Sequence, residues 1–238
     1  MSTYFISDLH LCDEQPLITQ LFVRFCREKA FDAQALYILG DFFEYWLGDD
    51  ATDGVSKKTV SVVQQELRQL NELGTKIYFM AGNRDFLLGQ DFAEKCGMEI
   101  IHEPKVIDLY GEQVLLVHGD AECIDDEPYQ KARAMFRNPK WQLQFLQMNI
   151  QQRVEFAEKA RQQSQQHTSK AGSEIMDVNQ AAIDHLYSKH QVKSIIHGHT
   201  HRPAVHKNND TTRIVLGDWH HQSNYLVVDE YGMQLISS

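Results

Sequence analysis

The stretch Ile195-Ile196-His197-Gly198-His199-Thr200-His201-Arg202-Pro203 places three histidines within five residues, directly after a short apolar run. Three imidazoles at the end of one strand have little use in a hydrophobic core, so this pattern indicates a metal site. Four other stretches repeat the design of an apolar strand, a Gly or Ser, and then Asp, His or Asn. They are Tyr4–His10, Leu36–Asp41, Ile77–Asp85 and Leu115–Asp120. The sequence therefore predicts that five strand ends converge on one site.

Composition narrows the class of protein. The chain has 238 residues and is 42% hydrophobic, which suits one α/β domain with a sizeable core. Its formal net charge of -10 argues against a general nucleic-acid binder, which would carry a basic face. Its cysteines form no CxxC pair and no secretory leader precedes them, so we expect reduced thiols in a cytoplasmic protein. They are Cys12, Cys26, Cys96 and Cys123. No apolar run approaches the roughly 20 residues that a membrane span needs.

Hydrophobic periodicity predicts alternating strands and helices, which is typical of a layered α/β domain. The predicted helices are 16–29, 55–73 and 86–96. The predicted strands are 3–6, 35–39, 76–80, 106–109, 113–117, 192–196, 212–216 and 225–228. Every polar motif follows one of these strands. Because ligands bind outside the carboxyl ends of strands in such sheets, the site is expected at that edge.

Residues 125–176 interrupt this alternation. The segment has no strand signal, is rich in Gln, and separates the fourth motif from the fifth. Two or more helices are expected there. One interpretation is an insertion that caps the site, and the other is an ordinary helical layer. Either way, residues 1–238 are expected to form a single domain.

The residue types of the motifs define the chemistry. Asp8 and His10 are two apart, so in an extended segment they face the same way. Alone, that pair could be an accident, Asp41 and Asn83 could be turn residues, and His118 could be a core histidine. Together, carboxylate, amide and imidazole ligands without thiolate suit Mn²⁺, Fe²⁺, Zn²⁺ or Mg²⁺. The ligands exceed what one ion needs, which favours two ions roughly 3.5–4 Å apart and hydrolysis of a phosphoester or phosphoanhydride.

The five motifs resemble those of the calcineurin-like metallophosphoesterases, and they extend over nearly the whole chain. The resemblance implies a layered β-sandwich flanked by helices, with a helical lid inserted at about 125–176. It also implies two Mn²⁺ ions per chain, with Asp41 as the bridging ligand. By position in the motifs, the ligands of one ion would be Asp8, His10, Asp41 and His201. The ligands of the other would be Asp41, Asn83, His118 and His199. His197 falls outside this ligand set and is expected to have a supporting role.

Arg84 refines the expected reaction. Many members of the family carry His after the Gly-Asn pair, where it can protonate a leaving alkoxide. Arginine does not give up its proton but grips phosphate in a bidentate fork. A phosphate leaving group needs no protonation, so Arg84 favours cleavage of a phosphoanhydride, although it could be a surface arginine in a turn. Asn83, Arg84 and His199 are the catalytic residues that the resemblance implies.

The stretches Gly40–Trp46 and 175–180 are similar to members that cleave the pyrophosphate of a doubly acylated UDP-sugar lipid. An apolar trough for the acyl chains would then be lined by Phe136, Trp141, Phe145, Leu146, Ile150 and Val154, unless these residues only pack helices together. The implied substrate contacts are Asn83, Arg84, Asp126, Ser164, Thr168, Lys170 and His199. The segment that holds Thr168 and Lys170 departs from the family pattern in sequence and spacing.

A lipid substrate implies a membrane surface. Basic side chains mixed with the apolar ones could rest on anionic headgroups at the cytoplasmic face of the inner membrane, or could be ordinary solvated charge. They are Lys131, Arg133, Arg137, Lys140, Arg153, Lys159 and Arg161. No nucleic acid and no obligate protein partner are expected. Two other functions stay open: the same chemistry on a soluble nucleotide or nucleotide sugar, and a metal-binding scaffold without catalysis.

Overall fold

Two β-sheets pack face to face in the computed structural model, which describes residues 2–52, 56–168, 177–220 and 222–237. The strands of the first sheet, in spatial order, are β11 (Gly232–Ser237), β10 (Asn224–Asp229), β1 (Thr3–Ile6), β2 (Ala35–Leu39), β3 (Lys76–Met80) and β4 (Met98–Ile101). Those of the second are β5 (Lys105–Leu109), β6 (Glu112–Leu116), β7 (Ser194–His197), β9 (Thr211–Val215) and β8 (Ala204–Asn208). Strands β1 to β4 are parallel, as are β6, β7 and β9.

Helices cover both outer faces of this sandwich. They are α1 (Pro16–Glu28), α2 (Lys57–Glu72), α3 (Gln90–Cys96), α4 (Glu127–Phe136), α5 (Pro139–Leu146), α6 (Ile150–Thr168) and α7 (Gln180–His190). On β2, Leu36 and Ile38 face the helices, whereas Leu39 joins the core between the sheets. Burial on both faces explains why the strands read as continuous apolar runs. The predicted α/β sandwich flanked by helices is confirmed.

Several boundaries differ from the prediction. Helix α3 begins at Gln90 rather than at residue 86, because Asp49 accepts hydrogen bonds from the amides of Gly89 and Phe92, both at 2.9 Å. Strands β4, β8 and β11 were not predicted; all three are sheet edges, where one-sided burial weakens the apolar pattern. Helix α7 was also missed, although Asn179 caps it by accepting from the Ala181 amide at 2.9 Å.

Residues 127–168 form α4, α5 and α6, as expected for the interrupting segment. Its role as a lid stays a prediction. Within the part of the chain that the structure describes, no helix combines the length and the apolar composition of a membrane span. The four cysteines are buried and free, and the reduced state of their thiols stays a prediction.

Phe22→Ala should lower the free energy of unfolding by about 3–5 kcal/mol, because Phe22 is fully buried and packs edge-on against Phe42 at 5.2 Å. Leu17 lies on the same helix but is 71% exposed, so Leu17→Ala should change it by less than about 0.5 kcal/mol. Urea unfolding in EDTA measures both. Equal losses in the two variants would contradict the assignment of the inner face of α1.

Candidate metal centre and adjoining cleft

The first two motifs are held in register by a backbone ladder that continues past β1 and β2. The amide of Asp8 donates to the Gly40 carbonyl at 3.1 Å, and the amide of His10 donates to the Asp41 carbonyl at 3.0 Å. The amide of Leu11 then donates to the next carbonyl at 2.9 Å. Parallel pairing therefore places Asp8, His10 and Asp41 side by side beyond the strand ends.

Left-handed backbone geometry is concentrated at this edge. The residues with φ between 50° and 67° include Asp8, His10, Asp41, His199 and His201. A non-glycine residue in this region is uncommon and costs roughly 1–3 kcal/mol when it is strained. The chain thus turns sharply after each strand and directs five candidate ligands inwards, at a cost to local backbone stability.

Close approach explains two glycines of the motifs. A Cβ added at Gly198 would collide with Ser7 Oγ and Asp8 Oδ2, and one added at Gly82 would collide with Asp41. Without a side chain, the backbone of each glycine can approach the side chains of a loop that follows another strand.

Asp8, His10 and His201 form the first cluster of possible metal ligands. The Nε2 atoms of His10 and His201 are 3.2 Å apart, and His201 Nε2 lies 3.4 Å from Asp8 Oδ1. The other carboxylate oxygen of Asp8 accepts from Ser7 Oγ at 2.5 Å and from the His199 amide at 2.9 Å. The end of β1 in the first sheet is thereby joined to the end of β7 in the second.

Asp41, His118 and His199 form the second cluster. His118 Nε2 lies 3.6 Å from Asp41 Oδ1 and 3.1 Å from the side-chain oxygen of Asn83. Asp41 Oδ2 also lies 3.9 Å from His10 Nε2, so its two oxygens face different clusters. This is the arrangement that a carboxylate between two ions requires.

The donor set fits divalent metal ions. Asp8 Oδ1 is buried and accepts no hydrogen bond from the described residues, although an ion would satisfy it. Burial alone would lower the pKa of His118, but the carboxylates of Asp41, Asp120 and Asp8 outweigh it and raise that pKa to about 9. Burial and the neighbouring His118 lower the pKa of His199 to about 4. The second cluster thus combines a strong attraction for positive charge with a neutral imidazole ready to ligate.

The remaining ring nitrogens of these histidines point away from the clusters. His118 Nδ1 lies 2.8 Å from the Leu39 carbonyl, and His201 Nδ1 lies 3.5 Å from Asp218 Oδ2. His10 Nδ1 lies 3.0 Å from Glu44 Oε2. Such outer partners orient a metal-binding imidazole and raise its basicity. His197 is fully buried and contacts the Gly198 carbonyl and Arg213, which agrees with a supporting role.

Helix α4 is fastened to the strand ends by charged side chains. Arg133 donates to Asp120 Oδ2 at 2.9 Å and to Glu103 at 2.6 Å. The Tyr129 hydroxyl donates to the same oxygen of Asp120 at 2.6 Å. Arg137 donates to the carbonyl of Gly82 at 3.0 Å. One wall of the site is therefore held rigidly against its floor.

A cleft of about 570 Å³ runs from the second cluster to the helices α4, α5 and α6. Its polar end includes Asn83, Arg84 and Asp120, together with Tyr129. Its apolar walls are formed by Phe86, Leu87, Phe136, Trp141, Phe145, Val154, Phe156 and Ala157. Another cavity of about 510 Å³ opens between α1 and α2, but it includes neither Asn83 nor Glu44, the residues of the larger cleft that contact the histidines of the clusters. The larger cleft is therefore the candidate site.

The structure gathers most of the predicted site residues here. Four of the six expected trough residues line the cleft; Leu146 and Ile150 do not, because they are 37% and 38% exposed on the outer side of the helices. Asp126 caps α4 through the Tyr129 amide at 3.0 Å, and its contact with substrate stays a prediction. The side chains of Ser164 and Thr168, and all of Lys170, lie outside the described residues.

Several residues of the site were missed from the sequence. Glu44 and Asp218 support the imidazoles of His10 and His201. The buried carboxylate of Asp85 accepts from the amides of Phe42 at 2.7 Å and Gly82 at 2.8 Å, so it ties the second motif to the third. Glu44 lies in the stretch Gly40–Trp46 and Asp85 in the stretch Ile77–Asp85. Their position in these motifs was the only feature of the sequence that could have indicated them.

Comparison with known proteins identifies the class. The model of the calcineurin-like phosphoesterase family matches residues 1–203, and the chain belongs to that family. The fold agrees with the solved structure of a novel archaeal phosphodiesterase, with a TM-score of 0.51 and 14% identity over 100% of both chains.

The chain is also similar to particular members of this family over almost its whole length. The UDP-2,3-diacylglucosamine hydrolase of Stenotrophomonas maltophilia is 48% identical, over 99% of this chain and 98% of that one. The protein of the same name from Haemophilus ducreyi is 45% identical, over 99% of this chain and 100% of that one. The resemblance seen in the motifs is confirmed.

Mn²⁺ should raise the melting temperature of the metal-free protein, because an ion that binds only the folded chain stabilises it. At about 100 times the Kd, one site contributes about 2.7 kcal/mol, which is roughly 5–10 °C for a chain of this size. Asp41→Ala should remove most of this shift, since Asp41 faces both clusters. His206→Ala, on the exposed strand β8, should retain it. Thermal denaturation in Mn²⁺ and in EDTA measures the shift in melting temperature. Equal shifts in the two variants would exclude Asp41 as a ligand.

Proposed function

We propose that this protein hydrolyses the pyrophosphate bond of UDP-2,3-diacylglucosamine, giving UMP and 2,3-diacylglucosamine 1-phosphate in lipid A biosynthesis. The observation that carries the proposal is a single cleft whose lining includes Glu44 and Asn83, which contact one histidine of each metal-ligand cluster, and which continues along an aromatic wall. The relatives named for the same substrate support it.

The metal assignment follows the two clusters. One Mn²⁺ would be held by Asp8, His10, Asp41 and His201, and the other by Asp41, Asn83, His118 and His199. When bound, such a pair supplies a nucleophile at neutral pH and neutralises charge on a phosphoryl group. The protein contributes a fixed ligand frame, because the ladder, the glycines and the outer hydrogen-bond partners leave these side chains little freedom.

Asn83, Arg84 and His199 are assigned to the reacting phosphate. The Arg84 amide donates to Asp41 Oδ1 at 2.8 Å, which places its side chain at the polar end of the cleft. Its guanidinium would donate two hydrogen bonds to the diphosphate and stabilise the negative charge that develops as water attacks the α-phosphorus. The acylated sugar 1-phosphate then leaves as a weak base and needs no proton donor, which agrees with arginine rather than histidine at this position.

The apolar walls account for the acyl chains. Trp141 and Phe145 stack at 5.1 Å, and Phe136 stacks on Phe86 at 5.7 Å, so the wall is a continuous aromatic surface. Each buried methylene contributes roughly 0.8 kcal/mol. Long acyl chains would therefore dominate binding, whereas the metal end determines where cleavage occurs.

Purified protein in Mn²⁺ should release UMP from UDP-2,3-diacylglucosamine and leave UDP-glucose and an aryl phosphate almost untouched. The reason is that only the first substrate fills both ends of the cleft. Chromatographic quantification of UMP measures this. Equal turnover of all three substrates would support a soluble nucleotide instead. Bound metal without turnover of any of them would support the scaffold hypothesis.

The proposal extends to a peripheral location on the cytoplasmic face of the inner membrane. Four large apolar side chains near the junction of α5 and α6 are 37–61% exposed: Leu143, Leu146, Met148 and Ile150. Residues 128–154 contain no Asp or Glu, although the chain has 33, and they contain five of its Lys and Arg residues. Arg133, Arg137 and Arg153 make contacts within the protein, but Lys131 and Lys140 are exposed, and an apolar surface in an acid-free segment with two exposed lysines suits anionic lipid headgroups.

Co-sedimentation should show binding to vesicles that contain phosphatidylglycerol and weaker binding to vesicles of phosphatidylcholine alone. The double variant Leu143→Gln/Leu146→Gln should bind about tenfold less tightly, because it removes apolar surface from the junction. The matched control is Leu73→Gln/Tyr231→Gln, which changes residues that are 69% and 90% exposed elsewhere. Equal weakening in both double variants would exclude the junction as the docking surface.

A further inference from the structure

Glu44 lies between the first metal cluster and helix α6. Its Oε2 is 3.0 Å from His10 Nδ1, and its Oε1 is 3.0 Å from the guanidinium of Arg161 on α6. The carboxylate is only 12% exposed and His10 is 11% exposed, so water competes weakly for that contact, whereas Arg161 is 45% exposed and its ion pair is open to water. Glu44 belongs to neither cluster of possible metal ligands, but it and Arg161 both line the cleft.

The contact with His10 bears on the metal. His10 Nε2 faces the first cluster, and Nδ1 lies within ion-pair distance of Glu44 but makes no well-aligned hydrogen bond with the described residues. A carboxylate at Nδ1 keeps that nitrogen protonated and leaves Nε2 free to ligate. An ion held at Nε2 would withdraw electron density from the ring and strengthen the attraction of Nδ1–H to Glu44.

The contact with Arg161 bears on the cleft. Val154, Phe156 and Ala157 of α6 form part of its apolar wall. The helix is tied at its start by Arg153, which donates to both oxygens of Asp50 and to the Leu47 carbonyl. Further along, Arg161 reaches Glu44, and this second tie ends on a residue that also touches a candidate metal ligand.

We propose that Glu44 is a positioning residue that couples occupancy of the first metal cluster to the placement of α6 over the cleft. Metal binding fixes His10, His10 orients Glu44, and Glu44 holds Arg161. Conversely, a well-placed α6 keeps Glu44 where it supports the metal ligand. The inference rests on the metal assignment proposed above but not on the identity of the substrate.

Mn²⁺ titration followed by electron paramagnetic resonance tests the metal half. Glu44→Gln should weaken one of two Mn²⁺ affinities about 10- to 100-fold and leave the other within about threefold. The control Asp50→Asn loosens the first tie of α6 without contacting His10, so both affinities should stay within about threefold. Unchanged affinities in Glu44→Gln would overturn the positioning role.

Hydrogen exchange of the α6 amides, with and without Mn²⁺, tests the coupling. In the wild-type protein Mn²⁺ should slow exchange about two- to fivefold, the size expected for one partly exposed ion pair. Arg161→Gln should abolish this response and weaken the Mn²⁺ affinity of the first cluster by the same two- to fivefold, because the coupling is reciprocal, whereas Asp50→Asn should keep the response. Exchange that ignores Mn²⁺ in the wild-type protein would exclude the coupling, even if Glu44→Gln fails to fold. This experiment contains only the protein and Mn²⁺, with no nucleotide or lipid. Its result therefore does not depend on whether the protein releases UMP from the proposed substrate.

Discussion

The two oxygens of Asp41 face two different clusters of imidazoles and carboxylates, and the rest of the site follows from that constraint. A carboxylate can do this only if strand ends from both sheets approach within contact distance of one another. Gly82 and Gly198 permit that approach because a side chain at either position would occupy the space of a ligand. The left-handed turns then direct each ligand inwards. Burying several carboxylates close together is costly when no positive charge is present. Burial and the neighbouring Asp41 raise the pKa of Asp85 to about 6. Cations relieve this repulsion, which links metal binding to the stability of the edge.

The ligand frame could be predicted from the sequence because each ligand directly follows a buried strand. Parallel strands end at one edge, so Asp8, Asp41 and Asn83 had to lie close together once the sheet formed. The second sheet brings His118 and His199 to the same place. Here local pattern and global fold agree, except that five residues adopt φ values that local preference disfavours. Such conflicts are expected where function rather than folding selects the residue.

Other parts of the site left no comparable signal. The ion pair of Glu44 with Arg161 joins segments that lie far apart in the chain, and only the packing of α6 brings them together. The trough was predicted from apolar residues in 125–176, but apolar character does not say which face of a helix turns inwards. Leu146 ends α5 and Ile150 begins α6, and both are more than a third exposed and do not line the cleft, whereas Phe156 joins the wall. The missed strands are edges, where exposure removes the periodicity on which prediction depends.

The cleft has one wall that is held by buried charges and one that is held by apolar packing and two ion pairs. Helix α4 is bound to the strand ends by Arg133 and Tyr129, both of which donate to the fully buried Asp120. Breaking these bonds would leave a buried charge without a partner, so α4 and the strand ends behave as one body. Helix α6 depends on Arg153 near its start and on the half-exposed Arg161 further along. Because exposed ion pairs contribute little, α6 is the wall whose position a bound ion or an acyl chain can change. The width of the apolar end is therefore set by a weaker interaction than the geometry of the reacting end, which suits a substrate with flexible chains and an invariant diphosphate.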